Sequence, residues 1–152
     1  MAILHPTKHL DTACRNENKG MDDESLVATA KAVRERAYVP YSRFYVGAAV
    51  LDEAGRVHSG CNVENASYPE GFCAEANAIG TMVAAGGTRV VHIAIVGGPA
   101  GPAGLQPCTP CGGCRQRILE FADADTKILL LDASGQFQHH TMDDLLPLSF
   151  RL

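Results

Sequence analysis

The sequence predicts an α/β protein in which helices cover both faces of one sheet. Three observations carry that prediction. Two strand-like runs, "VGAAVLD" and "VHSGCNVEN", flank the turn "EAGR", as in a hairpin. Two further runs, "VVHIAIVGG" and "KILLLDASG", are nearly continuous in apolar residues, as strands buried on both faces are. Segments of helical period stand before, between and after these runs. The order α-β-β-α-β-α-β-α is a hairpin followed by alternating units, so the second half of the sheet is expected to be parallel.

The elements follow from the residues in turn. Over 22–37, Leu26, Ala30, Val33 and Ala37 recur at helical spacing. Acidic residues crowd the front of that segment, and Arg34 and Arg36 the rear, which suits the helix dipole; Pro40 ends it. After the hairpin, "CAEANAIGTMVAA" reads as a helix closed by Gly86 and Gly87. The stretch "GGPAGPAG" after the third strand is too short to separate two domains. A helix "GGCRQRILEFA" follows a cysteine-rich loop, and "MDDLLP" is a short final helix that Pro147 stops. Residues 1–21 lack periodicity and form a loose lead-in. Residues 22–152 form a single domain.

A chain of 152 residues, 46% hydrophobic and 20% charged, is long enough for one real core. The net charge of −4 and the absence of basic runs argue against a nucleic-acid surface. No stretch approaches the roughly 20 apolar residues that cross a bilayer, so no membrane partner is expected. The first twenty residues are broken by His, Pro, Lys and Asp, unlike a signal peptide. Six cysteines without export are thiols or metal ligands rather than disulfides, and the expected location is the cytoplasm.

Four of those cysteines concentrate the chemistry: Cys73 in "GFCAEANAI", and Cys108, Cys111 and Cys114 in "PCTPCGGCRQ". Cys111 and Cys114 lie three apart at the start of a helix, on one face. Cys73 begins the preceding helix, and helix N-termini favour thiolates. Three such sulfurs suit zinc and leave one coordination position for water. Glu75 sits two residues after Cys73, in the first turn, where its carboxylate can reach back toward that position. A carboxylate there is placed as a general base for hydrolysis. A rival reading uses all four thiols, because "CTPCGGC" with Cys73 could also close a structural zinc site or hold an iron–sulfur cluster. Pro110 counts against it by keeping Cys108 ahead of the helix, and the rival leaves Glu75 without a task.

"CAE" followed by "PCGGC" fits the zinc-deaminase signature with Cys in place of its first His. Together with "VPYSRFYVGAAV", "GCNVENASYPEGFCAE", "PCGGCRQRILEF" and "TMDDLLPLSF", the chain from about residue 22 to 150 resembles the small, all-cysteine cytidine deaminases. The resemblance implies a three-layer α/β/α sandwich with a mixed sheet of about five strands. It also implies hydrolytic deamination of cytidine and 2′-deoxycytidine in pyrimidine salvage, one zinc ion per subunit and a homotetramer. On the matching positions, Cys73, Cys111 and Cys114 would be the zinc ligands and Glu75 the proton shuttle. Asn62 and Glu64 would hold the ribose hydroxyls, and Phe44, Ala74 and Thr109 would meet the nucleoside. Phe150, Ala66 and Tyr68 would come from neighbouring subunits.

One departure from that pattern concerns charge. Many relatives carry a basic residue directly after "CAE", where this chain has Ala76. Three thiolates on a divalent ion leave a negative site. Arg115 either answers it by pairing with a thiolate or faces solvent. The six histidines show no ligand spacing that joins the site and are expected at the surface. Two other functions stay open at this point: deamination of another cytosine-bearing small molecule such as blasticidin S, and a non-catalytic four-cysteine module.

Overall fold

The computed structural model describes residues 21–101 and 104–152. Apart from Met21, the lead-in expected over 1–21 lies outside the described residues. Among the described residues the chain forms α1 (Asp23–Arg34), β1 (Tyr45–Asp52), β2 (Val57–Cys61), α2 (Ala74–Ala84), β3 (Val90–Gly98), α3 (Gly112–Phe121), β4 (Lys127–Leu131), β5 (Phe137–His140) and α4 (Met142–Leu145). The five strands lie in the order β2-β1-β3-β4-β5. The β3–β4 pair is parallel and the other pairs are antiparallel.

Strand alternation sorts the core into two layers. On β1 and β3, Ala48, Val50, Ile93 and Ile95 face one way and pack with Ala78 and Met82 of α2, Ile118 of α3 and Met142 of α4. The intervening Ala49, Ala94 and Val96 face the other way, against Leu26, Val27 and Ala30 of α1. The result is the expected three-layer sandwich. Helix starts are capped by side chains that can accept from the free N–H groups. Asp22 accepts from the Ser25 amide at 2.8 Å, and Thr141 and Asp144 form a reciprocal capping box at α4.

The structure departs from the sequence reading in four places. First, α1 stops at Arg34, short of Ala37. Tyr38 is drawn out instead: its amide donates to the Asn62 carbonyl and its carbonyl accepts from the Glu64 amide. Second, β2 ends at Cys61, and Val63 makes only isolated bridges to Tyr38 and Phe72. Third, "KILLLDASG" holds a strand only to Leu131; "DASGQ" is a turn that leads into β5, an antiparallel edge strand. Fourth, two histidines expected at the surface are buried. His58 is 7% exposed and bonds the Asp52 carboxylate at 2.8 Å, and His92 is 5% exposed beneath α1.

Arg34 is almost fully enclosed as well. Its guanidinium donates to the carbonyls of Tyr45, Gly98 and Pro99, joining the start of β1 to the end of β3. Both strands are thereby anchored at the end of the sheet where the cysteines gather.

Candidate active site

Cys73 is the N-cap of α2 and Cys111 the N-cap of α3, both in extended backbone conformation, and Cys114 sits in the first turn of α3. Neither N-cap thiol is spent on capping its own helix. The sulfurs turn toward one another: Cys73 Sγ and Cys111 Sγ are 3.9 Å apart, and all three Sγ atoms lie within 4.8 Å of each other. A tetrahedral ion with metal–sulfur bonds of about 2.3 Å needs sulfur–sulfur edges of about 3.8 Å. The donor set therefore fits zinc in both chemistry and spacing. Cys108 is not among the three; it stands against Gly97, where an added Cβ would come within 2.6 Å of its Sγ.

Glu75 is the second residue of α2 and only 4% exposed. Burial raises its pKa above the ordinary carboxylate range; the Cys73 charge adds to that rise, and its own backbone amide opposes it. The Cys73 thiol is drawn down to about 6, first by the hydrogen bond from Cys114, with Cys111 and the Arg117 charge adding to the effect against burial. Cys114 is pushed up, first as the donor of that bond and then by burial. Burial, helped by the Glu75 charge, lifts Cys108 to about 11, so at neutral pH it is a thiol.

Two glycines bring the walls this close. At Gly60 on β2, an added Cβ would meet the Ala78 amide of α2 at 2.4 Å, so no larger residue lets α2 lie so near the sheet. Gly97 does the same for Cys108. Asn77 of α2 reinforces the contact by donating to the Cys61 carbonyl at 2.8 Å.

Cys73, Cys111 and Glu75 border a cavity of about 680 Å³, within the range of small-molecule sites, while Cys114 is buried outside its lining. Of the residues singled out in the sequence, Phe44, Asn62, Glu64, Tyr68, Cys73, Ala74, Glu75, Thr109 and Cys111 line it. Ala66 does not line it. Neither does Phe150, which is 68% exposed near α3, its carbonyl accepting from Gln116 at 3.2 Å. Sequence reasoning missed Tyr41, Ser42, Val63, Phe72 and Cys108 as lining residues. The alternating aromatics of "VPYSRFYVG" and "YPEGF" were the signal available for the first and fourth.

Asn62 and Glu64 also bear on the backbone. The Asn62 amide accepts from Val46 N at 2.8 Å and donates to the Phe44 carbonyl at 2.9 Å. The Glu64 carboxylate accepts from the amides of Tyr41 and Ser42. The Ser42 side chain first, and then those two amides, hold its pKa below the usual value against burial. The amide bonds also pin the loop in which Arg43 adopts φ 56°, a left-handed conformation that needs outside support.

The description "Cytidine and deoxycytidylate deaminase zinc-binding region" belongs to a family model that matches residues 21–130. The chain belongs to this deaminase family. A cytidine deaminase of Halalkalibacterium halodurans is 45% identical over 130 residues, covering 86% of this chain and 95% of that protein. One from Sporosarcina psychrophila is 42% identical over 130 residues, covering 86% and 92%. The crystal structure of cytidine deaminase from Burkholderia pseudomallei superposes with a TM-score of 0.75 at 42% identity, covering 86% of this chain and 100% of that one. That from Mycobacterium tuberculosis gives 0.72 at 40%, covering 85% and 97%. A zinc-binding deaminase region and a three-thiol cluster able to hold a metal thus coincide in one chain.

Within this deaminase fold the two arginines after the last cysteine differ in role. Arg115 neither pairs with a thiolate nor faces solvent: it donates to the carbonyls of Pro110 at 2.9 Å and Leu145 at 2.6 Å, tying the cysteine loop to α4. Arg117 bears on the site instead. Its guanidinium lies back over Gly113, 3.1 Å from where a Cβ would stand, and its charge favours the ionised forms of Cys73 and Glu75.

Proposed function

We propose that this chain catalyses the zinc-dependent hydrolysis of cytidine and 2′-deoxycytidine to uridine and 2′-deoxyuridine with release of ammonia. The observation that carries the reading is the buried Glu75 beside three thiols at tetrahedral spacing, on the wall of a nucleoside-sized cavity. In it, Cys73, Cys111 and Cys114 hold the zinc ion. Bound there, zinc supplies Lewis-acid activation of water.

The chain's own groups do the rest. Glu75 is buried, and burial raises its pKa above the ordinary carboxylate range, which suits a group that must take up a proton and pass it on. It takes a proton from the attacking water and hands it to N3 of the pyrimidine, which makes C4 electrophilic. Once the hydroxyl has added at C4, Glu75 takes its remaining proton and delivers it to the exocyclic amine; the C4–N bond breaks as the C4 carbonyl forms, and N3 keeps the first proton. One water enters and one ammonia leaves. The Thr109 carbonyl accepts a hydrogen bond from the departing amine. Asn62 and Glu64, two residues apart on an extended stretch, grip the ribose diol, and Ala74 and Phe44 flank the nucleoside. Glu64 has accepting capacity left for this role, since a carboxylate offers about four lone-pair sites.

The reading extends to a cytoplasmic homotetramer in pyrimidine salvage, in which Phe150 and Ala66 serve a neighbouring copy's pocket, whereas Tyr68, expected there too, lines the pocket of its own chain. The exposure of Tyr68, Phe72 and Phe150 supports it, since such a set of aromatic side chains gains by being covered. Incubating the purified protein with cytidine, and following uridine and ammonia with and without a chelator, tests the activity. No uridine from the zinc-loaded protein would refute it.

A further inference from the structure

A second group of ligand-type side chains lies on the opposite layer of the molecule. Asp23 at the start of α1, His92 on β3 and His139 on β5 each offer one donor atom, and these atoms all lie within 4.8 Å of one another. The Asp23 carboxylate faces both rings: Oδ2 is 2.6 Å from His139 Nε2, and Oδ1 is 3.7 Å from His92 Nδ1. The ring centroids are 5.3 Å apart. Separately, His92 is 5% exposed and its Nε2 has no hydrogen-bond partner among the described residues. The ring nitrogen that faces the other two residues is Nδ1, which at 3.7 Å from the Asp23 carboxylate is beyond direct hydrogen-bond range.

We propose that Asp23, His92 and His139 form a second, structural site for a divalent transition-metal ion such as zinc. Two imidazoles and a carboxylate are the donor set such ions prefer. Bonds of about 2.0–2.1 Å in tetrahedral geometry require donor–donor edges of about 3.3–3.5 Å. The 2.6 and 3.7 Å contacts are made by the two different Asp23 oxygens, and one donor atom from each residue already lies within 4.8 Å of the others, so closing on an ion requires rotation of the exposed Asp23 and His139 side chains. Burial holds His92 neutral, with its lone pair available, and Asp23 and His139 are half-exposed, which gives an ion its path in. The Lys127 charge beside His92 opposes the ion, and the Asp23 carboxylate offsets it.

The site is distinct from the thiol cluster. His92 lies near the start of β3 and Gly97, beside Cys108, near its end. Five residues of strand separate them by about 16 Å. An ion here would tie α1 to the central strand and to the edge strand β5, and so stabilise the fold without touching substrate.

The test uses the full chain already loaded with one zinc ion. Co2+ is titrated in, read by visible absorption, calorimetry and thermal melting. The expected result is one further equivalent, showing weak d–d bands without sulfur-to-cobalt charge transfer, together with a rise in Tm. His139→Ala and Asp23→Asn should each abolish that equivalent while keeping the first zinc. His92 is too enclosed for its variants to be informative. Absence of a second equivalent overturns the proposal. So does a second equivalent that survives in both variants, which would place it elsewhere, for instance on His5 and His9 of the lead-in.

Discussion

The sulfurs of Cys73 and Cys111 stand 3.9 Å apart although 38 residues separate them in the chain. Each stands at the N-cap position of a different helix, so the contact is made by the fold rather than by a local motif. Neutral thiols gain little from such closeness. Thiolates sharing a cation gain much.

Glu75→Gln should keep zinc at one equivalent and lower kcat by at least about 10²–10⁴, the usual share of a positioned proton shuttle. Metal content by elemental analysis and turnover of cytidine, measured on one preparation, check this. A variant near wild-type rate would remove Glu75 from the mechanism.

Cys108→Ser should retain zinc and most of the activity, because its thiol stays protonated and apart from the other three. Cys73→Ser should lose zinc on dialysis. If the two variants lost metal alike, the site would be a closed four-thiolate one.

Replacing Arg117 with Leu should weaken zinc retention about two- to fivefold, the scale of one exposed charge interaction. Chelator competition measures it. The same assay on Arg115→Leu should show a different fault, a lower Tm, since Arg115 joins the cysteine loop to α4 through carbonyls.

Acid should expose the role of Asp52. Burial alone would raise its pKa, but His58, Arg56 and the Ala54 amide outweigh that and hold it at about 2, below its ordinary 3.8. A carboxylate with a depressed folded pKa stabilises the native state above pH 3.8 and loses that contribution as the pH falls toward 2. The Tm difference between wild type and Asp52→Asn should therefore be full at pH 6 and shrink below pH 4. A difference independent of pH would contradict this.

Much of this was legible in the sequence because period and punctuation agreed. "VVHIAIVGG" coincides with β3 residue for residue, and Gly86 and Gly87 close α2 where they were expected to. What escaped was set by partners distant in sequence. The turns "DEAGR" and "DASGQ" have the same build: Asp52 and Asp132 each accept from the amides two and four residues on, and Gly55 and Gly135 have φ 77° and 81°. The first was read as a turn because apolar strands flank it. The second was absorbed into a strand because "FQHH" offers one apolar residue, and β5 is held mainly by its pairing with β4.

The site divides in the same way. Cys73, Glu75, Cys111 and Cys114 carry their chemistry in their spacing, and the structure gathers the three thiols and sets Cys73, Cys111 and Glu75 on one cavity. The burial of His58 depends on which face of β2 meets a helix; His92 lies inside a run that reads as buried on both faces, a sign that conflicts with placing it at the surface. Arg117 was passed over for Arg115 because only the fold shows which guanidinium turns back along α3.

The cradle draws on Cys73 and on a pair of cysteines in the last third of the chain, with β3 running between them. During synthesis the first thiol must wait, unpartnered, until the last has left the ribosome and the intervening strand has docked. Ion capture is therefore a late event in maturation, and a chain cut short before Cys114 would keep most of its sheet-forming sequence yet have nowhere to seat its metal.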